Sequence, residues 1–305
     1  MIDGISARLA ERGIKCAFTP ISRVGDLRRE ITELGGGEVQ TDFIKWWISI
    51  ADRFLPDGLD FEPRSIITAI AYSPKVSLRF NYGGRQADCV LPPTYGEVSA
   101  AESRERRYIS SVIGQSGCKF EYAGHIPQKL LAVHCGLGKY GRNNIFYGGD
   151  FGSYVKIYTY VSDIPCEDAG WLPIARMDAC ETCTECVAAC PTGAIAADRK
   201  IINADICVTA FNERDGDFPD WLDKAAHNSL VGCVKCQDCC PLNAKHVGDI
   251  VRGAEFTESE TMELLGCGPD KPVPGEIADK FKAVGLWENF IKHIPRNLAP
   301  LLENG

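Results

Sequence analysis

Long apolar segments are missing from this sequence of 305 residues. The longest apolar runs, such as IITAIAY, are far shorter than the roughly 20 residues that a helix needs to cross a bilayer. The first fifteen residues mix acidic and basic side chains and contain neither the apolar core of a secretory signal nor a twin-arginine motif. From these absences we expect a cytoplasmic protein with no membrane partner.

Positive charge is also scarce, because 33 lysines and arginines face 41 aspartates and glutamates, for a formal net charge of -8. Broad binding to nucleic acid requires clustered lysine and arginine side chains against the phosphates. The dense basic stretch SRERRY, at 103–108, has a helical pattern and is best interpreted as a solvated helix face. The charge balance therefore does not favour a wide nucleic-acid interface.

The rest of the composition is that of a globular protein, with 45% hydrophobic and 24% charged residues. Residues 3–13 and 40–54 repeat apolar side chains at three- and four-residue steps, which predicts helices. Residues 65–73, 75–82 and 118–124 are β-branched or alternating, which predicts strands. An α+β domain with a central sheet is therefore expected over residues 1–165.

The composition changes at 164–180, where proline and turn-forming residues accumulate. A cysteine-rich module follows, and amphipathic stretches such as 275–294 then predict helices towards the end of the chain. We therefore expect three segments: an α+β domain at 1–165, the cysteine module at 166–245 and a helical segment at 246–305.

Nine of the fifteen cysteines lie between residues 180 and 240. The first run reads C-x2-C-x2-C-x3-C-P and comprises Cys180, Cys183, Cys186 and Cys190. In bacterial ferredoxins this spacing lets three thiolates hold one 4Fe-4S cluster while the fourth binds the neighbouring cluster. Structural zinc sites also use C-x2-C pairs, but they do not call for a terminal Cys-Pro. The run therefore predicts iron–sulfur clusters.

The second run, CVKCQDCCP, departs from this pattern. When the two runs are aligned on their terminal Cys-Pro, Cys236 and Cys233 take the third and second ligand positions. The first position falls on Leu230, which cannot bind iron. Cys207 is the expected substitute, since it is the only cysteine in the insert between the two runs.

Crossing the fourth ligands between the two runs gives two complete sets. One cluster is assigned to Cys180, Cys183, Cys186 and Cys240, and the other to Cys190, Cys207, Cys233 and Cys236. In an alternative arrangement, Cys239 is the ligand and Cys207 is free. The six cysteines outside the module show no ligand spacing and are expected to behave as small apolar residues.

A second motif, CGLGKYGRNN at 135–144, contains G-x-G-x-x-G at Gly136, Gly138 and Gly141. A dinucleotide-binding fold places this motif after a strand and before a helix. Here the preceding stretch predicts a helix and the following stretch a strand, so a nicotinamide or flavin site is not expected. The glycines serve either a tight structural loop or a surface for some other ligand.

Together these motifs resemble the epoxyqueuosine reductase family, iron–sulfur and cobalamin enzymes of tRNA queuosine synthesis. The shared pattern is a helix ending in GLG-x-x-G-[KR], strands ending in SDIP, the first cysteine run, a lone cysteine seventeen residues later and GCxxCxxxCPxN. The chain is more distantly similar to corrinoid reductive dehalogenases. Over roughly residues 60–245, the resemblance implies a nitroreductase-like corrinoid-binding domain followed by a ferredoxin-like module with two 4Fe-4S clusters.

The resemblance also implies roles for individual residues. The resemblance places five residues of the glycine loop against a corrin macrocycle, where missing side chains let the backbone approach a flat ligand. These residues are Gly136, Leu137, Gly138, Gly141 and Arg142. The neighbouring Lys139 and Cys135 depart from the family pattern, which has an aromatic residue and an alanine there.

Tyr122 falls where the reductases have the aspartate of an Asp-Ser-Ala-Pro motif. A tyrosine, with an ordinary pKa near ~10, can donate a proton only if its anion is stabilised, for instance by a nearby cation. Dehalogenases use a tyrosine as a proton donor, so Tyr122 is the implied catalytic residue. A packing role for its ring is equally open.

The predicted function is a corrinoid-dependent reductase in which two 4Fe-4S clusters pass electrons to a cobalt corrin that reduces a substrate. The expected partners are a low-potential electron donor, such as a ferredoxin or flavodoxin, and a small-molecule or nucleoside substrate. A tRNA substrate is not favoured, because the acidic residue is replaced, the net charge is negative and about 64 residues follow Pro241. The alternative is an electron-transfer protein that reduces a partner, such as a corrinoid protein, without substrate chemistry of its own.

Overall fold

The chain is described by a computed structural model that covers residues 1–37, 40–95, 104–167, 170–198 and 201–303. It forms two compact units, and each unit is assembled from separate stretches of sequence. The first unit comprises Met1–Tyr72, Glu105–Cys183 and Asp198–Asn203. The second unit comprises Ser73–Arg104, Thr184–Ala197 and Ala204–Gly305.

Helices and strands alternate along the described chain, joined by turns and short 3₁₀ helices. The α-helices are α1 (Ile2–Ala10), α2 (Arg23–Leu34), α3 (Asp42–Ser49), α4 (Arg104–Gly114), α5 (Gln128–His134), α6 (Glu185–Ala188), α7 (Val208–Asn212), α8 (Lys235–Asp238), α9 (Glu258–Leu265), α10 (Gly275–Ala283), α11 (Glu288–Ile291) and α12 (Ile294–Glu303). The strands are β1 (Lys15–Pro20), β2 (Ser65–Tyr72), β3 (Lys75–Tyr82), β4 (Arg85–Leu91), β5 (Phe120–Tyr122), β6 (Lys139–Tyr140), β7 (Phe146–Tyr147), β8 (Val155–Ser162) and β9 (Ile250–Phe256). Within these ranges no helix has the length and apolar character needed to cross a bilayer.

The first unit contains an antiparallel sheet with the strand order β1-β2-β8-β5. Strand β2 is buried along nearly its whole length, as its β-branched sequence SIITAIAY favours for an inner strand. Ser65 and Ser162 are opposite each other on β2 and β8, and their hydroxyl oxygens are 2.8 Å apart. This buried hydrogen bond helps to set the register of the two inner strands.

Helices cover both faces of this sheet because successive side chains of a strand point to opposite sides. Ile67 and Ala69 of β2 belong to the apolar cluster formed with α1 and α4. Ile66 belongs to the cluster formed with α2 and α5. Helix α5 is therefore anchored on the sheet, and it carries the glycine loop at its C-terminal end.

The second unit contains a smaller sheet with the order β4-β3-β9, in which β3 is antiparallel to β4 and parallel to β9. Its core is largely aliphatic and contains a group of three phenylalanine rings. The Phe80 and Phe256 rings stack at 4.6 Å between centroids, and Phe281 of α10 lies 4.8 Å from Phe256. Helices α6 and α8, which contain Cys186 and Cys236, and helix α7, which follows Cys207, also belong to this unit.

The α+β class predicted from the sequence is confirmed, with α1, α3, β2, β3 and β5 in the segments where periodicity placed helices and strands. The helical prediction for 246–305 is wrong at its start, because Ile250–Phe256 forms β9. That strand is stabilised by parallel pairing with β3, which lies far away in sequence, and no local pattern reports such pairing. The division of the chain into three segments stays a prediction, whereas the two compact units are a feature of the structure.

Replacing Phe256 by alanine is expected to destabilise the second unit by about 3–5 kcal/mol, because its ring is fully buried between two other rings. Phe43→Ala is the matched control, since that ring is 52% exposed on α3, and its cost should be about 1 kcal/mol or less. Guanidinium denaturation followed by circular dichroism measures both. Equal losses of stability would contradict this account of the core.

Candidate iron–sulfur centre and glycine loop

The first cysteine run lies on a 3₁₀ turn, Asp178–Cys180, and on the short helix α6. Cys180 and Cys186 are each only 9% exposed. Cys180 and Cys183 belong to the first compact unit, whereas Cys186 and Cys190 belong to the second. The predicted cluster on Cys180, Cys183, Cys186 and Cys240 therefore stays a prediction from sequence spacing.

The other predicted ligand set lies entirely within the second unit. Burial raises the pKa of Cys236 well above its ordinary value, and the charges of Cys233, Cys207, Cys186 and Cys190 raise it further. Thiolates affect one another in this way only when they are close together. The grouping of Cys190, Cys207, Cys233 and Cys236 as the ligands of one cluster stays a prediction, and the four residues share the second unit.

The chemistry of these thiols fits an iron–sulfur cluster. Burial is also the main cause that raises the pKa of Cys207 and of Cys233, so their thiolates are costly when free. Iron compensates the thiolate charge and makes the deprotonated state favourable. In the described part of the chain, no group of three or more histidine, cysteine, aspartate or glutamate side chains is arranged to hold a metal ion. A 4Fe-4S cluster requires a different arrangement of ligands from a single metal ion, because each cysteine sulfur binds a separate iron atom.

Arg142 holds the first cysteine run in place. Its guanidinium is buried and donates from Nε to the Cys183 carbonyl at 3.0 Å and from Nη2 to the carbonyls of Cys180 and Glu181. One side chain therefore satisfies several carbonyl groups of the loop. The sequence pointed to Arg142 only as a corrin contact, and its role in bracing the cysteine loop was missed.

A buried ion pair fastens the second cysteine run to β3. The Lys75 side chain is 5% exposed, and its Nζ lies 2.9 Å from Oδ1 of Asp238, which stands between Cys236 and Cys239. A buried ammonium is tolerated only with such a partner. Nothing local in the sequence signals this contact, since the two residues are 163 positions apart.

The glycine loop begins with a Schellman motif at the end of α5. Gly136 has a φ of 75°, its N–H donates to the Val133 carbonyl and the N–H of Leu137 donates to the Ala132 carbonyl, both at 3.0 Å. Glycine is favoured there because other residues pay a steric penalty at positive φ. The first glycine therefore ends the helix.

The other two glycines allow the β6–β7 hairpin to pack closely. A Cβ atom at Gly138 would overlap the carbonyl oxygen of Tyr147, and one at Gly141 would overlap the ring of the same tyrosine. Their missing side chains are thus required by the fold itself. The observed order of helix, loop and hairpin is the predicted one, and it differs from the strand-loop-helix order of a dinucleotide site.

Only part of the predicted corrin surface is accessible. Gly136 is exposed and Leu137 and Gly138 are half-buried, whereas Gly141 and Arg142 are buried. The backbone from Gly136 to Gly138 could meet a flat ligand. The two buried residues contact other parts of the first unit instead.

Tyr122, on β5, packs its ring edge-on against Tyr160, with 5.6 Å between centroids. The guanidinium of Arg106 lies 3.9 Å from the centre of the Tyr122 ring. Nε2 of Gln128 lies 3.4 Å from the Tyr122 hydroxyl and also donates to Oγ1 of Thr159 at 3.1 Å. A cation therefore lies over the face of the Tyr122 ring, and an amide lies beside its hydroxyl.

The hydrogen bond of Tyr122 joins it to the start of α5, whereas the glycine loop follows the end of that helix. Gln128 is the first of its seven residues, which corresponds to about 10 Å of helix. The hydrogen bonds and ring contacts of Tyr122 thus do not tie it to the loop, although both belong to the first unit.

Residues 179–243 match the family described as "4Fe-4S double cluster binding domain". The chain is 34% identical over 120 residues to an epoxyqueuosine reductase of Bacillus subtilis, which covers 39% of this chain and 30% of that protein. It is 29% identical over 289 residues to one of Gloeobacter violaceus, which covers 88% of each. A crystal structure of epoxyqueuosine reductase with an epoxyqueuosine-modified tRNA stem loop has a TM-score of 0.62 and 21% identity, and the match covers 99% of this chain and 80% of that one.

These comparisons confirm the predicted resemblance to the epoxyqueuosine reductases. The module at 179–243 is a double 4Fe-4S cluster domain, and the fold is shared with a solved reductase. The match to the Bacillus subtilis protein spans less than a third of that relative's length.

Replacing Cys207 by alanine is expected to remove one of the two clusters, because the spacing of the second run assigns this thiol to the ligand position that falls on Leu230. Cys239→Ala is the matched control and should keep both clusters, or about eight iron atoms per chain. Iron and sulfide content after anaerobic reconstitution measures the outcome. Loss of a cluster in the Cys239 variant alone would overturn the assignment.

Proposed function

We propose that this chain is a corrinoid-dependent iron–sulfur reductase similar in chemistry to the epoxyqueuosine reductases. The observation that carries the proposal is the match of residues 179–243 to a double 4Fe-4S cluster binding domain, which contains Cys190, Cys207, Cys233 and Cys236. Adjacent clusters of this kind hold and pass single electrons at low potential. A low-potential donor such as a ferredoxin or flavodoxin is the proposed source of these electrons.

The side chains around the two cysteine runs keep the thiols in place. Arg142 binds the carbonyls of the first run, and the Lys75–Asp238 ion pair fastens the second run to β3. A rigid environment reduces the rearrangement that accompanies electron transfer, since ligands and their charges need not move. These contacts support a redox role for the module.

A corrin, when bound, supplies a strongly reducing cobalt centre. The residues proposed to contact it are Gly136, Leu137 and Gly138, whose backbone is accessible beyond the end of α5. Gly141 and Arg142 support this surface indirectly, the first by admitting the Tyr147 ring and the second by bracing the cysteine loop.

Tyr122 is the proposed proton donor. When its hydroxyl releases a proton, the guanidinium over the ring and the amide of Gln128 can both stabilise the phenolate that remains. Removal of an epoxide oxygen as water takes two electrons and two protons, so a reductase of this type needs a proton source beside its electron path. The contacts of Tyr122 fit that requirement.

The proposed substrate is a nucleoside or another small molecule. The relatives are named epoxyqueuosine reductase, and a solved one holds a modified tRNA stem loop. This chain carries a formal net charge of -8, which opposes a long RNA contact, and it has Tyr122 where the family resemblance implies an acid. An epoxyqueuosine-like nucleoside is therefore the favoured substrate class, ahead of a whole tRNA.

A second candidate function is electron delivery to a partner protein, such as a corrinoid protein. It is favoured by the glycine loop, where internal packing accounts for Gly138 and Gly141. It is also favoured by the hydrogen bond of the Tyr122 hydroxyl, which joins Gln128 at the start of α5 and not the glycine loop. This candidate retains both clusters and needs neither a corrin nor a proton donor.

Adding cobalamin to the anaerobically reconstituted chain is expected to leave about one corrin per chain after gel filtration, since Gly136–Gly138 offer an accessible backbone surface. The absorption spectrum measures both the bound amount and the ligation state of cobalt. A Leu137→Arg variant should reduce retention while keeping both clusters. Full cluster content with no retained corrin in the unmodified chain would favour the electron-delivery candidate.

Replacing Tyr122 by phenylalanine is expected to lower turnover of an epoxyqueuosine nucleoside about 10²- to 10⁴-fold, because the ring packing stays but the hydroxyl proton is lost. Cluster content and corrin retention should not change. Tyr82→Phe, at an exposed position on β3, is the matched control. Unchanged turnover in the Tyr122 variant would assign the ring a packing role.

A further inference from the structure

We infer that Asn228 is a positioning residue that makes the cluster bound by Cys190, Cys207, Cys233 and Cys236 easier to reduce. The inference rests on the cluster assignment of the proposed function. It deepens that assignment by naming a side chain that regulates how readily the second unit accepts an electron.

The amide of Asn228 is held in one orientation. Its Oδ1 accepts a hydrogen bond from the Val234 backbone N–H at 2.8 Å, so the oxygen must face that N–H and the nitrogen must face the other way. Nδ2 then donates to the Ala226 carbonyl at 2.8 Å and to Sγ of Cys233 at 3.1 Å. Both amide protons are thereby used, and one is directed at a proposed cluster ligand.

A hydrogen bond to a ligand sulfur favours the reduced state of a cluster. Reduction adds an electron, part of whose charge resides on the sulfurs, so an N–H directed at a sulfur stabilises the reduced form more than the oxidised form. Removing the donor should therefore make reduction harder.

A carboxylate near the same proposed ligand set acts in the opposite direction. Glu213 directly follows α7, the five-residue helix that begins after Cys207, and it accepts a hydrogen bond from the hydroxyl of the half-buried Tyr95. Negative charge near a ligand sulfur disfavours the added electron. Asn228 and Glu213 thus provide two variants with opposite expected signs.

The test is an electron paramagnetic resonance redox titration of the full chain with both clusters reconstituted. Asn228→Asp keeps the shape of the side chain and the acceptor for Val234, but it replaces the donor to sulfur by an oxygen. At the midpoint potential of the unmodified cluster, the ratio of reduced to oxidised cluster should fall about fivefold or more. It should rise in Glu213→Gln. Comparison with Cys207→Ala identifies which signal belongs to this cluster.

Asn81→Asp is the matched control, because Asn81 donates to Glu255 and to the Phe256 carbonyl on the β4-β3-β9 sheet and its substitution should leave the ratio unchanged. If Asn228→Asp keeps its full iron content and its ratio of reduced to oxidised cluster does not change, the inference is overturned. If that variant loses the cluster, the unmodified chain is labelled with nitrogen-15 at asparagine and studied by pulsed electron paramagnetic resonance. Coupling between the asparagine nitrogen and the reduced cluster supports the inference, and absence of this coupling overturns it. A chain that never holds two clusters would instead refute the proposed function.

Discussion

The concentration of cysteines in the second unit is the constraint on which the proposed chemistry depends. Burial and the charges of other cysteines both raise the pKa of Cys236 and so oppose its ionisation. Such a group is unfavourable as free thiolates and becomes favourable when iron neutralises the charge. The local fold, with short helices α6, α7 and α8 interrupted by turns, is suited to presenting sulfurs rather than to forming an independent apolar core.

Buried cations and amides around the cysteine runs complement this constraint. Arg142 satisfies carbonyls of the first run, Lys75 pairs with Asp238 in the second, and Asn228 contacts Sγ of Cys233. Each group lowers the cost of negative charge or of loop backbone held away from water. The three side chains come from a hairpin turn, a strand and an insert, so the redox module relies on surroundings well outside the cysteine runs.

The glycine loop shows how one motif can serve the fold before it serves a ligand. Gly136 ends α5 in a conformation that other residues adopt only with strain, and Gly138 and Gly141 make room for Tyr147. The requirement for glycine is thus explained within the first unit. A corrin bound here would use the accessible backbone that this packing leaves at Gly136–Gly138.

The sequence alone determined the cysteine spacing and the displaced ligand position at Leu230, because ligand spacing in the runs is local and chemically restrictive. It also indicated helices α1 and α3 and strands β2 and β5 of the first unit, whose periodicity is strong. The resemblance to the epoxyqueuosine reductases followed from these same motifs.

Only the tertiary structure decided which distant residues support the motifs. The contacts of Lys75 with Asp238 and of β3 with β9 join residues more than 160 positions apart, and the buried role of Arg142 depends on where the first cysteine run folds back. Such contacts arise from packing and charge neutralisation between separate stretches of chain. Local propensity and periodicity do not report contacts between distant segments. The sequence could therefore indicate the candidate ligands, but not the side chains that keep the cysteine runs in place.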